Sequence, residues 1–252
     1  MQKSIDLNCD LGEGMPTDAA IIPYISSANI SCGFHAGDED TMANTIRLCL
    51  QHGVAIGAHP SFNDRENFGR TAMHLPANAI EELVLQQLSI MADQCAKQDA
   101  IMHHVKPHGA LYNMSAADEN IAAAIANAIL QFNPNLVLFG LAGSISLSVA
   151  KQMGIRVVHE FFADRTYQPN GSLTPRTQAN ATLHDVNDAV EQAMLIATDA
   201  AVRSVDGALI YPCGQQETVS ICLHGDGENA IEFAQAIHQK FQSNHIHIKP
   251  SA

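Results

Sequence analysis

The stretch ANISCGFHAGDEDTMANTIRLCLQHGVAIGAH, residues 28–59, contains a strand, a helix and a second strand in succession. Residues 28–31 and 54–58 are short apolar runs of the kind that parallel sheets bury on both faces. Between them, residues 38–51 have the periodicity of an amphipathic helix. Two strands joined through a helix form a β-α-β unit, so this stretch predicts a parallel sheet.

The same alternation extends along the whole chain. Further apolar runs predict strands at residues 4–8, 102–106, 136–140, 155–159 and 219–223. Helical patterns lie at residues 76–97, 115–131, 144–153, 182–203 and 228–241. Seven strand–helix units without a shift in composition predict one domain over residues 1–252, an α/β fold of the TIM-like (β/α) barrel type. An open doubly wound sheet is the alternative.

Local signals predict where three elements begin or stop. The pairs Ser115 with Asp118 and Thr182 with Asp185 have the spacing of a capping box, which predicts two helix starts. An extended piece at residues 208–211 precedes Pro212, and this proline restricts it to an edge strand or a hairpin arm.

Composition excludes several classes of function. The 252 residues include 13 Lys and Arg against 26 Asp and Glu, for a formal net charge of −13. This balance argues against nucleic acid and anionic membranes as partners, because phosphate binding needs a basic surface. Asp6 and Asp10 interrupt any apolar core of a signal peptide, and the longest apolar stretch, residues 136–150, is too short to span a bilayer. The irregularly spaced cysteines then predict reduced thiols and a cytoplasmic location.

Polar residues suited to catalysis or binding follow the predicted strands. In a parallel barrel all strand carboxyl ends open onto one face, and that face carries the active site. We therefore expect these residues to converge: Asn8, Asp10, Glu13, His35, His59, Lys106, His108, Glu160, Asp164, Arg165, His224 and Asp226. Taken singly, Asp10 and His59 also fit ordinary roles as a turn carboxylate and a strand-end cap. Lys106 does not, because it ends an apolar strand.

Cations concentrate in the same segments, at Arg65, Arg70, Lys106, Arg165 and Arg176. An acidic protein that gathers cations at a barrel mouth is expected to bind an anion. The long loops at residues 60–75 and 163–181 are expected to cover the site, with residues 166–175 as a lid. The turn at residues 140–144, GLAGS, is a second anion-binding candidate, although a plain strand-to-helix turn explains it equally well. The sequence contains no P-loop.

Several motifs, in order, resemble the LamB/YcsF family over about residues 5 to 227: DLNCDLGEG, ANISCGFHAGD, IGAHPSF, VKPHGALYN, FADRTYQPNGSLTPR and ICLHGD. The resemblance implies a seven-stranded barrel of the glycoside hydrolase/deacetylase type. It also implies cleavage of the lactam amide of 5-oxo-L-proline to L-glutamate, coupled to ATP hydrolysis, together with partner subunits B and C. Which subunit binds ATP is left open.

For that reaction we expect Lys106 to stabilise charge, and Asp10 and His59 to act as general base and orienting partner. His35, His108 and His224 are alternatives for proton transfer. The remaining predicted contacts are to substrate, with Arg165 or Arg176 on its carboxylate and the others at Asn8, Glu13, Asp164 and Asp226.

Two other functions are compatible with the same residues. The first is a metal-dependent amidohydrolase or deacetylase with Asp10, His35, His59 and His224 as ligands. The second is a non-catalytic subunit that delivers a lactam to a partner. The dispersed spacing contains no HxxxH or HExxH element, so the sequence by itself assigns no metal.

Overall fold

A computed structural model describes residues 3–225, 227 and 229–251. Over these residues the strands are β1 (Ser4–Leu11), β2 (Ser27–Ser31), β3 (Ala55–His59), β4 (Met102–Val105), β5 (Val137–Leu141), β6 (Arg156–Phe162), β7 (Val202–Arg203), β8 (Leu209–Ile210), β9 (Val219–His224) and β10 (His247–Ile248). The helices are α1 (Asp18–Ile21), α2 (Glu39–His52), α3 (Ala77–Ala96), α4 (Gly109–Ser115), α5 (Glu119–Phe132), α6 (Ile145–Gln152), α7 (Val186–Asp199) and α8 (Ala230–Ser243), with a 3-10 turn at Ile22–Tyr24. Within this described part, no helix combines the length and apolarity needed to cross a membrane.

Seven parallel strands close into a barrel. Strands β1 to β6 pair in sequence order, and β9 pairs with both β6 and β1. At the start of β1, Ser4 pairs with His247 of β10, which extends the sheet locally. The predicted barrel is therefore confirmed, and the open doubly wound sheet is wrong.

Strand β1 shows how the sequence builds this barrel. Successive side chains on a strand point to opposite faces. Leu7 and Cys9 are buried in the apolar layer between strands and helices, whereas Asp6, Asn8 and Asp10 make their hydrogen bonds across the barrel interior. The interior is consequently polar along this strand, and the main apolar core lies outside the barrel wall, separate from a smaller cluster of Val137, Phe139 and Val158.

The floor of the barrel is closed around one carboxylate. Asp6 is 2% exposed and accepts hydrogen bonds from the hydroxyl groups of Ser26, Ser27, Ser220 and Ser251. Burial raises the pKa of Asp6, although the four serines act in the opposite direction. Residues from both ends of the chain thus meet at this group.

Several element boundaries differ from the sequence prediction. Helix α7 ends at Asp199, before the predicted residue 203, because Ala200 takes a left-handed conformation with φ 51°. Asp118 and Asp185 cap their helices, so each helix begins after the aspartate and the two predicted capping boxes are wrong. The predicted hairpin arm at residues 208–211 is confirmed, since β8 pairs antiparallel with β7. The predicted helix start at Glu228 lies outside the described residues.

All six cysteines are free thiols, as predicted, and five of them are buried. Burial raises the pKa of the Cys32 and Cys49 thiols to about 12. They are therefore protonated at neutral pH and pack as small apolar side chains.

Gly57 of β3 provides a test of packing inside the barrel. A Cβ atom there would lie 2.1 Å from Nε2 of His104, which is fully buried and lies 2.9 Å from Asn29 Oδ1. We expect Gly57→Ala to lower the free energy of unfolding by about 1–3 kcal/mol through overpacking, measured by urea denaturation. Gly214→Ala is the control, because the nearest atom to its Cβ would be 3.9 Å away. Equal stability of the two variants would contradict this account.

Candidate active site

A cavity of about 790 Å³ opens at the carboxyl ends of the barrel strands. Its wall includes residues from most of the predicted segments: Asp10, His59, Lys106, His108, Arg165, Arg176 and His224. Gly143 and Ser144 of the predicted anion-binding turn also lie on this wall. The expected convergence at one face of the barrel is thus observed.

Lys106 is the central charge of the site. Its ammonium Nζ lies 2.7 Å from Asp10 Oδ1, 2.8 Å from Glu160 Oε1 and 3.0 Å from Cys222 Sγ. Burial alone would lower the pKa of Lys106, but the negative charges of its neighbours, Asp10 first, hold this pKa well above its usual value. The side chain is therefore a fixed, fully charged ammonium group beneath the cavity.

Asp10 connects this ammonium group to the histidines. Its Oδ1 also accepts a hydrogen bond from Asn29 Nδ2 at 2.8 Å, and its Oδ2 lies 3.3 Å from His59 Nε2. Burial would raise the pKa of Asp10, but the adjacent His59 and Lys106 hold it well below its usual value. Asp10 is consequently ionised and is a weak proton acceptor.

Glu160 is a second buried carboxylate, to which the sequence-based hypothesis gives no role in catalysis or binding. Its Oε2 accepts a hydrogen bond from the Tyr112 hydroxyl at 2.7 Å. Its Oε1 pairs with Lys106 by charge, although among the described residues it has no hydrogen bond of good geometry. The sequence did indicate that Glu160 lies at the site, because this residue directly follows a predicted strand. The sequence did not indicate that Asn29 lies at the site, since this residue is inside a strand and does not follow one.

Four buried residues form a compact cluster beside Asp10: Glu13, His35, His59 and His108. They offer ligand atoms that all lie within 4.8 Å of one another, so this cluster could hold a metal ion. Burial and the adjacent His59 lower the pKa of His35 to about 2 and that of His108 well below its usual range. Both rings are therefore neutral near pH 7.

A separate acid–base pair lies on another part of the wall. His224 Nδ1 lies 2.8 Å from Asp164 Oδ2 and 3.0 Å from Oδ1, and the His224 ring stacks on Phe162. Burial would raise the pKa of Asp164, but His224 holds it below its usual value. An ionised aspartate at Nδ1 leaves Nε2 of His224 available for proton transfer.

The loop at residues 163–181 forms one side of the cavity. Arg165 donates hydrogen bonds to the carbonyl oxygens of Ala181 and Thr174, at 3.0 and 2.7 Å, and its pKa falls to about 10 through burial and the charge of Arg176. Tyr167 is fully buried, and its hydroxyl accepts a hydrogen bond from the Phe162 N–H. These bonds hold the ends of the expected lid and engage two nitrogens of Arg165, while movement of the lid stays a prediction. Arg176 is exposed on that side of the cavity.

Asn8 and Asp226 are also predicted to contact the substrate. Asn8 is fully buried, where it donates to Ser220 Oγ and accepts from Asn29 Nδ2. It lies 3.4 Å from Lys106 Nζ and so supports the ammonium group from below. Asp226 lies outside the described residues.

The chain is similar to proteins of known name along nearly its full length. It matches the LamB/YcsF family over residues 5–252. It is 44% identical over 246 residues to the A subunit of 5-oxoprolinase from Haemophilus influenzae (strain PittEE), and the match covers 98% of this chain and 99% of that protein. It is 45% identical over 251 residues to the protein of the same name from Bacillus cereus (strain Q1), with 97% and 98% covered.

Solved structures agree with this similarity. The crystal structure of a lactam utilization protein from Thermus thermophilus superposes with a TM-score of 0.89 at 34% identity, covering 98% of this chain and 99% of that chain. A family 4 carbohydrate esterase from Streptomyces lividans in complex with acetate has a TM-score of 0.53 at 11% identity, covering 99% and 93%. The esterase shares the fold, and at that identity nothing more follows.

Removing the central cation tests the ion-pair network. Lys106→Met leaves Asp10 and Glu160 as buried carboxylates without a counter-charge, and breaking such a pair costs about 3–5 kcal/mol. We expect a loss of that size in the free energy of unfolding by urea denaturation. The double variant Lys106→Met with Glu160→Gln removes one stranded charge and should recover part of the loss. An equal loss in both proteins would show that Glu160 is not paired with Lys106.

Neutral buried histidines predict a loss of stability in mild acid. Burial, with the charges of His103 and Lys106, holds the pKa of His104 well below 6.5. The unfolded chain takes up a proton below about pH 6.5 and the folded chain does not, so the free energy of unfolding falls as the pH drops from 7 to 5. This residue contributes a slope of up to about 1.4 kcal/mol per pH unit. Urea titrations should show a smaller slope for His104→Gln; an unchanged slope would contradict the assignment.

Proposed function

The chain belongs to the LamB/YcsF family, and from this premise we propose that it is the barrel subunit of an ATP-dependent 5-oxoprolinase. Its substrate is then 5-oxo-L-proline, and its product is L-glutamate. The observation that carries the proposal is the buried ammonium group of Lys106 at the base of a cavity with cationic walls. The names of the relatives, at 44% and 45% identity, support it.

The cavity suits a small anionic amide. Its volume of about 790 Å³ is ample for a five-membered lactam that bears one carboxylate. Arg70 and Arg176 lie on the wall, and guanidinium groups bind carboxylates through paired charge-assisted hydrogen bonds. We assign Arg176 to the substrate carboxylate, because Arg165 is committed to the loop backbone.

The chemistry divides between two groups on the wall. Lys106 stabilises the negative charge at the lactam oxygen, which carries the phosphoryl group when water attacks the carbonyl carbon. His224, oriented by Asp164, takes the proton from water and returns a proton to the ring nitrogen as the C–N bond breaks. Asp10 holds Lys106 in place, and its lowered pKa makes it a weaker base than the sequence-based hypothesis assumed.

ATP enters through the partner subunits in this proposal. Lactam amides are resonance-stabilised, and transfer of the γ-phosphoryl group of ATP to the carbonyl oxygen, with release of ADP, would activate the carbon that water attacks. Loss of the ring nitrogen then leaves an acyl phosphate, which a second water hydrolyses to glutamate and phosphate. The sequence contains no P-loop, so we assign the nucleotide to subunits B and C, with this chain supplying the lactam site. The free thiols support assembly in the cytoplasm.

Reconstitution tests the activity. Glutamate release from 5-oxoproline and ATP is measured with this chain alone, with subunits B and C alone, and with all three. We expect release only from the full mixture. No release from a complex whose assembly is confirmed by gel filtration would refute the proposal.

Single substitutions in the reconstituted complex test the assigned roles. We expect His224→Gln to lower kcat at least about a hundredfold, the scale of one acid–base group. Arg176→Met should raise KM about tenfold or more, the scale of a charge-assisted hydrogen bond, with a smaller change in kcat. His52→Gln and Arg47→Met, on the exposed face of α2, are the matched controls. If turnover stays unchanged in His224→Gln while the lactam still binds, the chain delivers the lactam to a partner and is not the catalyst.

A further inference from the structure

The cluster of Glu13, His35, His59 and His108 is distinguished by where its imidazole hydrogens lie. His59 Nδ1 lies 2.7 Å from the carbonyl oxygen of Lys106, and His108 Nε2 lies 2.9 Å from that of Phe68. A carbonyl oxygen only accepts hydrogen bonds, so each ring carries its hydrogen on that outer nitrogen. The inner nitrogens, Nε2 of His59 and Nδ1 of His108, then present bare lone pairs.

The third histidine has the same arrangement. His35 Nδ1 lies 2.9 Å from Ser61 Oγ, and that hydroxyl donates its own hydrogen to the Phe62 carbonyl at 2.9 Å. Ser61 therefore accepts from His35, and Nε2 of His35 is the bare nitrogen. This nitrogen lies 3.0 Å from Glu13 Oε1, another acceptor.

These inward lone pairs face one another at hydrogen-bonding distance with no hydrogen between them. His59 Nε2 and His108 Nδ1 are 2.9 Å apart, and Glu13 Oε1 lies 3.6 Å from His108 Nδ1. Asp10 Oδ2 adds a further acceptor 3.3 Å from His59 Nε2. Such an array is repulsive unless a positive charge lies among the acceptors. One proton on His59 Nε2 would satisfy His108 Nδ1 or Asp10 Oδ2 but would leave His35 Nε2 facing Glu13 Oε1, whereas a metal ion among the four ligand atoms is shared by all of them.

We propose that Glu13, His35, His59 and His108 bind one divalent transition-metal ion at the edge of the cavity. Bonds of about 2.0–2.2 Å place the ligand atoms of one ion about 3 to 4.4 Å apart, close to the spacing of this cluster. Three imidazoles with one carboxylate suit Zn²⁺ or Mn²⁺ better than Mg²⁺, which prefers oxygen ligands. This proposal does not depend on the proposed reaction.

The surroundings of the cluster are those of a metal site. Each histidine is held at its outer nitrogen by a backbone carbonyl or a hydroxyl group, which is how proteins orient metal-bound imidazole. Phe68 packs edge-on against both His35 and His108, with ring centroids 5.5 Å apart in each case, and shields that side of the cluster. His59 and His108 also lie on the cavity wall, so a bound ion would be within reach of a ligand there.

This ligand set differs from the sequence-based alternative of Asp10, His35, His59 and His224. His224 is paired with Asp164, and Asp10 is paired with Lys106. Glu13 and His108 take their places, because the loop after β1 and the start of α4 bring both side chains against His35. When bound, the ion would supply a Lewis-acid centre next to the ammonium group of Lys106.

Metal content and binding test the site without any measurement of turnover. Untagged protein is stripped with EDTA, dialysed, and titrated with Mn²⁺ while the free ion is followed by electron paramagnetic resonance. Mn²⁺ is the first probe because the free cysteines compete for Zn²⁺. We expect one Mn²⁺ per chain, tighter binding of Zn²⁺ in competition, and no displacement by equimolar Mg²⁺. A folded protein that takes up neither Mn²⁺ nor Zn²⁺ would overturn the proposal.

Variants locate the ion. Glu13→Gln and His108→Asn should each weaken Mn²⁺ binding at least about tenfold, whereas His238→Gln on α8 should not change it. If a ligand variant fails to fold, the wild-type protein still decides the question, because a bound ion must raise its Tm as the ion concentration increases. Unchanged binding in both ligand variants, or no rise in Tm with either ion, would overturn the assignment.

Discussion

A buried ammonium group is the constraint to which the rest of this barrel is fitted. An ion removed from water loses several kcal/mol of hydration free energy, and only close counter-charges compensate for that loss. Lys106 of the β4 end obtains them from Asp10 on β1 and Glu160 on β6. Strands β1, β4 and β6 are not adjacent in the barrel wall. The ion pairs therefore connect strands that share no backbone hydrogen bonds with one another. Around these ion pairs the barrel interior is polar, whereas Val137, Phe139 and Val158 form a separate apolar cluster, in which Phe139 stacks on His104.

The two faces of β1 have different tasks. On β1, Leu7 and Cys9 pack under the helices, while Asn8 and Asp10 build the site. The same division explains how the fold is shared with a carbohydrate esterase at 11% identity. The outer layer needs only apolar side chains of suitable volume, whereas the inner residues are free to differ with the chemistry.

The sequence predicted the barrel and most of the residues at its mouth, because both depend on local patterns. Apolar runs locate strands, and the parallel arrangement sends every strand end to one face. What it could not predict depends on contacts between distant segments. The pairing of His224 with Asp164 and the support of Lys106 by Asn29 through Asp10 require the register of the closed sheet. The hydrogen bonds of the Arg165 guanidinium to the carbonyl oxygens of its own loop are likewise contacts that no local pattern indicates.

The floor of the barrel has a consequence for the order in which the protein can mature. Asp6 belongs to β1, which leaves the ribosome before the other barrel strands, yet two of the hydroxyl groups that satisfy it come from Ser220 and Ser251. Translation proceeds at about 5–20 residues per second, so this strand waits for its last partners until nearly the whole chain has emerged. During that interval the edge of β1 that pairs with β9 has no partner, and Asp6 lacks two of its four hydroxyl donors. Vectorial synthesis thus makes closure of the barrel floor one of the last steps of folding.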